Sequence, residues 1–214
     1  MRALIVANGD ITAWERTPPD RLTADLVVAV DGGWLHCQTL GVNADVVIGD
    51  FDSLPGMILQ QLQGTDTLLI QHPREKDEID LELALIYALE QGARTMTILG
   101  GLGGRFDMTL ANVSLLFHPR LQGLPIEFWH QGQKLWLILP PGDEIPGETG
   151  DTLSLLPFGG EASGIRTTNL AYPLENERLP LGFSRGLSNL LTANTANVSL
   201  ESGALLAVLT HGRA

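Results

Sequence analysis

Leu26-Val27-Val28-Ala29-Val30-Asp31-Gly32-Gly33 decides the fold. The apolar run is too short for a helix and is rich in Val. Such a run reads as a strand covered on both faces, as in a parallel sheet. It stops at Asp-Gly-Gly, a composition that permits a tight turn and a close backbone approach. In open α/β sheets, ligands bind outside the carboxyl ends of the strands. Asp31 therefore has two readings, a ligand contact or a cap on the helix that follows.

The same pattern recurs on either side. Ala3–Ala7, Val46–Ile48, Thr67–Ile70 and Thr95–Leu99 are further short apolar runs, most of them flanked by turn residues. Between them lie helical patterns. Leu81, Ala84, Leu85, Ala88 and Leu89 form one stripe over Asp80–Glu90, and a second helix begins near Asp107, with Leu110, Val113 and Phe117 on one face. Alternating strands and helices predict an α/β domain with a mainly parallel sheet. After about Gly123 the helical period ends. Pro125–Trp129, Lys134–Leu139, Thr152–Leu156, Asn197–Leu200 and Ala204–Leu209 read as strands, separated by turn-rich segments such as Pro140-Pro141-Gly142-Asp143 and Phe158-Gly159-Gly160. Short strands with frequent turns predict an all-β sandwich. The boundary is placed near 119–124, giving domains 1–121 and 122–214.

Composition narrows the function. The chain has 214 residues, 44% hydrophobic and 18% charged, with a net charge of -12. An acidic protein gains nothing from its overall field in binding nucleic acid, so no nucleic-acid partner is expected. A nucleotide site would need cations to offset the charge locally. Cys37 is the only cysteine, which leaves no internal disulfide and no cysteine-rich zinc site. The start Met1–Asp10 does not read as a signal peptide, and no apolar stretch approaches the ~20 residues that span a bilayer. A soluble, cytoplasmic protein with no membrane partner is expected.

Besides Asp31-Gly32-Gly33, three clusters carry possible chemistry. In Ile48-Gly49-Asp50-Phe51-Asp52-Ser53, two carboxylates two residues apart would share one side of an extended segment. Without a cation between them they repel. The set suits Mg²⁺, which takes one or two carboxylates with waters and phosphates. The alternative is a pair of turn residues, with Asp52 or Ser53 capping a helix near Leu54-Pro55. Leu99-Gly100-Gly101-Leu102-Gly103-Gly104-Arg105-Phe106-Asp107 follows a strand and precedes a helix. Its backbone N–H groups can cradle phosphate, Arg105 adds a planar donor, and Asp107 caps the helix or joins the metal ligands. A plain flexible loop is the bland reading. In Glu75–Asp80, Asp77 and Asp80 would share a helix face, although acidic residues in a first turn need no function, and Lys76 reads as a solvated lysine. There is no P-loop and no Gly-x-Ser-x-Gly elbow, and the five histidines are dispersed. Aspartates at strand ends, one Arg and a glycine cradle point to metal-assisted phosphoryl chemistry.

Taken in order, Asp31-Gly32-Gly33, Gly49-Asp50-Phe51-Asp52-Ser53, Lys76-Asp77 with Asp80, and Gly103-Gly104-Arg105-Phe106-Asp107 resemble the thiamine pyrophosphokinase family. Leu170-Ala171-Tyr172-Pro173-Leu174 and Gly186-Leu187-Ser188-Asn189 extend the resemblance through the second half. The resemblance implies an α/β domain followed by a β-sandwich. It implies a reaction of thiamine with ATP that gives thiamine diphosphate and AMP, in a homodimer with sites at the subunit interface. It assigns Asp50, Asp52, Asp77, Asp80 and Asp107 to catalysis, with Asp50, Asp52, Asp77 and Asp107 as metal ligands. Asp31, Gly32, Gly33, Gly103, Gly104 and Arg105 would contact ATP, and Ser188 and Asn189 would hold thiamine. Ile79, Met108 and Asn169 depart from residues common in the family. The alternatives are the same transfer to another alcohol, such as a pterin, or an inactive thiamine- or nucleotide-binding regulator.

Overall fold

The computed structural model describes residues 1–52, 56, 60, 62 and 64–212, without the side chain of Glu15. Ser53, Leu54 and Pro55, where a capped helix start is expected, lie outside the described residues. The chain divides into two compact units, Met1–Gln131 and Gly132–Ala214.

The first unit is a parallel sheet flanked by helices. Its strands are β1 (Arg2–Val6), β2 (Leu26–Val30), β3 (Val46–Gly49), β4 (Leu68–Gln71), β5 (Thr95–Leu99) and β6 (Ile126–His130). They lie in the order β6-β5-β1-β2-β3-β4. Register pairs such as Ile5 with Val28 and Ile5 with Ile98 fix β1 between β2 and β5. The helices are α1 (Gly33–Leu40), α2 (Asp80–Glu90) and α3 (Phe106–Ser114).

Successive side chains on a strand face opposite ways. Leu4, Val6, Val27, Ala29 and Val47 therefore share one face, where they form a core with Trp34, Cys37 and Leu40 of α1. The intervening residues Ala3, Ile5, Val28 and Val46 are buried too. The apolar stripe of α2, with Leu81, Ala84, Leu85 and Ala88 buried, lies along β1, β2 and β3. The chain winds outward from β1 to β4, then returns across β1 to reach β5. Right-handed crossovers in opposite directions put the helices on opposite faces. Burial on both sides explains why these strands read as unbroken apolar runs.

The strand expected at Pro125–Trp129 is present as β6, but it pairs in parallel with β5 (Ile98 with Phe128) and belongs to the first unit's sheet. Leu110 is 53% exposed, so only part of the face expected on α3 is buried.

The second unit has two antiparallel sheets. One holds β7 (Gln133–Ile138), β9 (Thr152–Pro157), β12 (Asn189–Leu190) and β14 (Leu205–Thr210), in the order β12-β9-β14-β7. The other holds β8 (Gly142–Pro146), β10 (Ala162–Thr168), β11 (Glu175–Leu179) and β13 (Thr195–Ser199), in the order β11-β10-β13-β8. Ile138, Ile145, Leu153, Ile165, Val198 and Leu205 from both sheets share one core. The segment read as a turn at Pro140–Asp143 already enters strand β8, with Gly142 opposite Ser199. β8 and β11 are edge strands, and edges carry charge in place of apolar alternation. The register of β10 shifts between Ala162, Ile165 and Arg166, which blurs its period.

Candidate active site

The strand order reverses at β1 and β5. That reversal is the topological switch point of an open α/β sheet, where ligands find a crevice at the carboxyl ends. The loops after β1, β2, β3 and β5 therefore build the site. Backbone bonds join two of them, from Gly9 N to Gly100 O at 2.7 Å and from Asp10 N to Leu102 O at 3.2 Å.

After β2, Asp31 takes φ 46, and its carboxylate Oδ1 accepts the Phe51 N–H at 3.1 Å. It does not cap α1, whose N-cap is Gly32 with no side-chain bond. Gly33 opens α1 against β1; a Cβ there would lie 2.0 Å from Val6 O.

After β3 the chain is not extended. Phe51 has φ 62, and Asp50 Oδ1 accepts the Asp52 N–H at 3.0 Å. The expected extended geometry for Asp50 and Asp52 is thus replaced by a turn closed on the Asp50 carboxylate. This N–H bond is the main cause that holds the Asp50 carboxyl below its usual value, with Lys76 and Arg74 adding to it. Arg74 Nη1 pairs with Asp52 Oδ2 at 3.3 Å.

Asp80 is the first residue of α2, after Ile79 in extended backbone. Asp77 precedes the helix and is exposed, so the helical face expected for Asp77 and Asp80 does not exist. Lys76 corrects another expectation. Its side chain is only 13% exposed, and its ammonium lies 2.9 Å from Asp80 Oδ1 and donates to Pro73 O at 3.1 Å.

The charges of Asp50 and Asp80 both act on Asp31. Burial first, then the charges of Asp80 and Asp50, push the Asp31 carboxyl up to about 6. The folded protein therefore holds a proton on Asp31 that the unfolded chain releases near its ordinary value of 3.8. Stability from this group is complete below that value and falls as pH rises through about 6. Asp31→Asn has no such titration. Its urea midpoint, measured against the wild type at pH 4 and pH 7, should gain on the wild type as pH rises. An unchanging difference would count against the cluster.

After β5, Gly100, Gly103 and Gly104 have φ 65, 82 and 69. Arg105 makes a two-pronged contact with Asp107, Nη2 to Oδ2 at 2.6 Å and Nε to Oδ1 at 3.2 Å. This pair is exposed, and the arginine holds the Asp107 carboxyl below its usual value. A solvent-exposed pair of this kind is weak, so a phosphate can displace it. Met108 donates its N–H to Asp107 Oδ1 at 2.9 Å.

The sequence reading passed over the loop after β1. Asp10 accepts from the hydroxyl and N–H of Thr12 and, at 2.9 Å, from Gln131 Nε2. The Thr12 hydroxyl is the largest of these effects, and together they lower the Asp10 carboxyl to about 2. Asn8-Gly9-Asp10 directly after the first strand was the available signal. Beside it, Asp10, Trp14, Leu99, Trp129 and His130 line a cavity of about 10 Å³, room for no more than a water.

Among the described residues, no group of three or more His, Cys, Asp or Glu side chains could hold a metal alone. Asp50 and Asp80, which both act on the Asp31 carboxyl, nevertheless suit Mg²⁺, which takes one or two protein carboxylates and completes its shell from water and phosphate. Asp107 is held by Arg105.

In the second unit, Ser188 takes φ 54, and its N–H donates to Ser154 Oγ at 3.1 Å. Asn189 grips the backbone of Tyr172, accepting its N–H at 3.0 Å and donating Nδ2 to its carbonyl at 2.6 Å. Asn189 therefore ties the Leu170–Leu174 turn to β12. Asn169 has φ 60, a left-handed conformation that Asn tolerates. Among the described residues, no helix is long and apolar enough to cross a membrane.

Comparison with known proteins agrees along the chain. Residues 22–128 match the family model "Thiamin pyrophosphokinase, catalytic domain", and residues 143–205 match "Thiamin pyrophosphokinase, vitamin B1 binding domain". A thiamine pyrophosphokinase from Bacillus subtilis is 29% identical over 185 residues, 86% of each chain. The crystal structure of a thiamin pyrophosphokinase family protein from Enterococcus faecalis superposes over 100% of both chains with TM-score 0.89 and 31% identity. That of the Bacillus subtilis enzyme covers 99% of both chains, with TM-score 0.88 and 27% identity.

Proposed function

Because the chain belongs to the thiamine pyrophosphokinase family, we propose that it converts thiamine to thiamine diphosphate by transfer of a pyrophosphoryl group from ATP, with Mg²⁺. One observation of the site carries the reading. The Asp31 carboxyl, at the end of β2, feels the charges of both Asp80 and Asp50, and the largely buried ammonium of Lys76 lies 2.9 Å from Asp80 Oδ1. Like charges held this close are costly, and they are characteristic of sites that bind cations and phosphates.

The thiamine hydroxyl attacks the β-phosphorus of ATP in line. A new oxygen–phosphorus bond forms, the bond from the β-phosphorus to the α–β bridging oxygen breaks, and AMP leaves with that oxygen. The hydroxyl proton passes to a carboxylate among Asp50, Asp52, Asp77, Asp80 and Asp107. The chemistry that Mg²⁺ would supply there is neutralisation of phosphate charge. Asp50 would hold the ion, with Asp52, Asp77, Asp80 and Asp107 as candidates for the remaining ligands. Lys76 offsets charge beside Asp80. Arg105 exchanges Asp107 for phosphate oxygens, and the backbone of Gly103 and Gly104 lies beside it to cradle the same groups. Ser188 and the turn held by Asn189 contact thiamine.

We also propose a homodimer. Phe106 at 75%, Phe183 at 69% and Leu181 at 62% exposure are large apolar side chains that a partner would cover.

AMP release, measured with and without thiamine and with and without Mg²⁺, tests the reading. Asp52→Asn should lower turnover by about 100-fold while the fold is kept. Near-normal turnover would remove Asp52 from its role. Thiamine-independent AMP release, or release that a pterin alcohol stimulates better, would reassign the acceptor.

A further inference from the structure

Asp31 is bound to the protein through its backbone and through one carboxylate oxygen. Its N–H donates to Ile48 O at 3.0 Å, and its C=O accepts the Trp34 N–H at 3.2 Å, so its backbone joins β3 to α1. Its side chain turns back onto the next loop, where Oδ1 accepts from Phe51 N at 3.1 Å. A Cβ on Gly49 would lie 1.7 Å from that same Oδ1. The carboxylate fills the space that any side chain at 49 would need. Both partners of this contact are in left-handed backbone, Asp31 at φ 46 and Phe51 at φ 62. A non-glycine residue in that region persists only where its surroundings over-determine it. Phe51 is also buried, so its ring anchors the turn from below.

We propose that Asp31 is the positioning residue of the Gly49–Asp52 loop. Its carboxylate locks the Phe51 N–H and occupies the space over Gly49, which fixes the turn that carries Asp50. Gly49 is required because of Asp31, not because of a ligand. The role needs an acceptor of this size at this point and does not need its charge. The inference rests on the pyrophosphate-transfer reading only for its kinetic arm.

Two measurements test it. In the first, Asp31→Ala lowers kcat for AMP release by about 100-fold, the cost of a displaced reacting group, with KM for thiamine within about threefold. Asp31→Asn keeps an oxygen acceptor for Phe51 and restores kcat to within about tenfold of the wild type. If Asp31→Asn falls as far as Asp31→Ala, the charge itself acts on phosphate or cation, and the proposal is overturned. Near-wild-type kcat in Asp31→Ala overturns it as well.

The second measurement needs no activity. Gly49→Ala should lower Tm in the wild type, and the drop should shrink by at least about half in the Asp31→Ala background, because contacting residues couple. Equal drops in both backgrounds overturn the contact. If Asp31→Ala does not fold, Asp31→Gly, which adopts positive φ without strain, takes its place. Absence of AMP release from the wild type would sink the functional reading, while the Tm cycle still decides the role of Asp31.

Discussion

Replacing Asp50 with Asn is expected to lower kcat by about 10²–10³, the scale on which one preorganised electrostatic group acts, while the protein melts at or above the wild-type temperature. The two effects separate for a structural reason. The amide oxygen of Asn can still accept the Asp52 N–H that now reaches Asp50 Oδ1 at 3.0 Å. The turn is kept, and a negative charge that raises the Asp31 carboxyl is removed. Only the carboxylate offered to a cation is lost. AMP release at saturating ATP and thiamine reads the first effect, and a thermal melt reads the second. If kcat and kcat/KM fall together, the interaction belongs to the transition state. Turnover within about threefold of the wild type would show that Asp50 serves the fold alone.

Gly100→Ala should give the largest loss of stability among the loop positions, about 3 kcal/mol, from positive φ and overpacking together. Gly100 has φ 65, and a Cβ there would lie 2.2 Å from Ala7 O. The obstacle is backbone held by the Ala7 N to Leu99 O bond at 2.8 Å, so it cannot rotate away. Gly92 supplies the control, because it has φ 95 with nothing within 4 Å of its Cβ position. Gly92→Ala should therefore show only the conformational cost, about 1 kcal/mol. A shift in Tm of about 10 °C for Gly100→Ala, against a few degrees for Gly92→Ala, is the expected pair. Equal shifts would mean that the loops after β1 and β5 are not locked together.

Leu26–Val30 is legible because Val27–Val30 are buried in a continuous apolar run, and α2 because its buried stripe recurs at helical spacing. Strands that escaped include the edge strand Glu175–Leu179, where polarity is tolerated, and the interior strand β10, whose register shifts blur its period. In the candidate site, the strand-end aspartates could be read because Asp beside Gly after an apolar run has few explanations. Their partners could not. Lys76 looks like any lysine in an acidic stretch, and only the fold buries it against Asp80.

Residue order alone thus determined the parallel α/β half, the antiparallel half and the strand ends at which chemistry gathers, since these follow from local periodicity and turn composition. Tertiary structure decided what no local pattern encodes. It set Asp50, from another loop, and Asp80, at the start of α2, to act on Asp31, turned Phe51 into left-handed backbone, and left Asp77 outside the helix. The physical reason is that burial and charge coupling depend on distance in space, and residues 31, 50 and 80 become neighbours only when the strands are laid side by side.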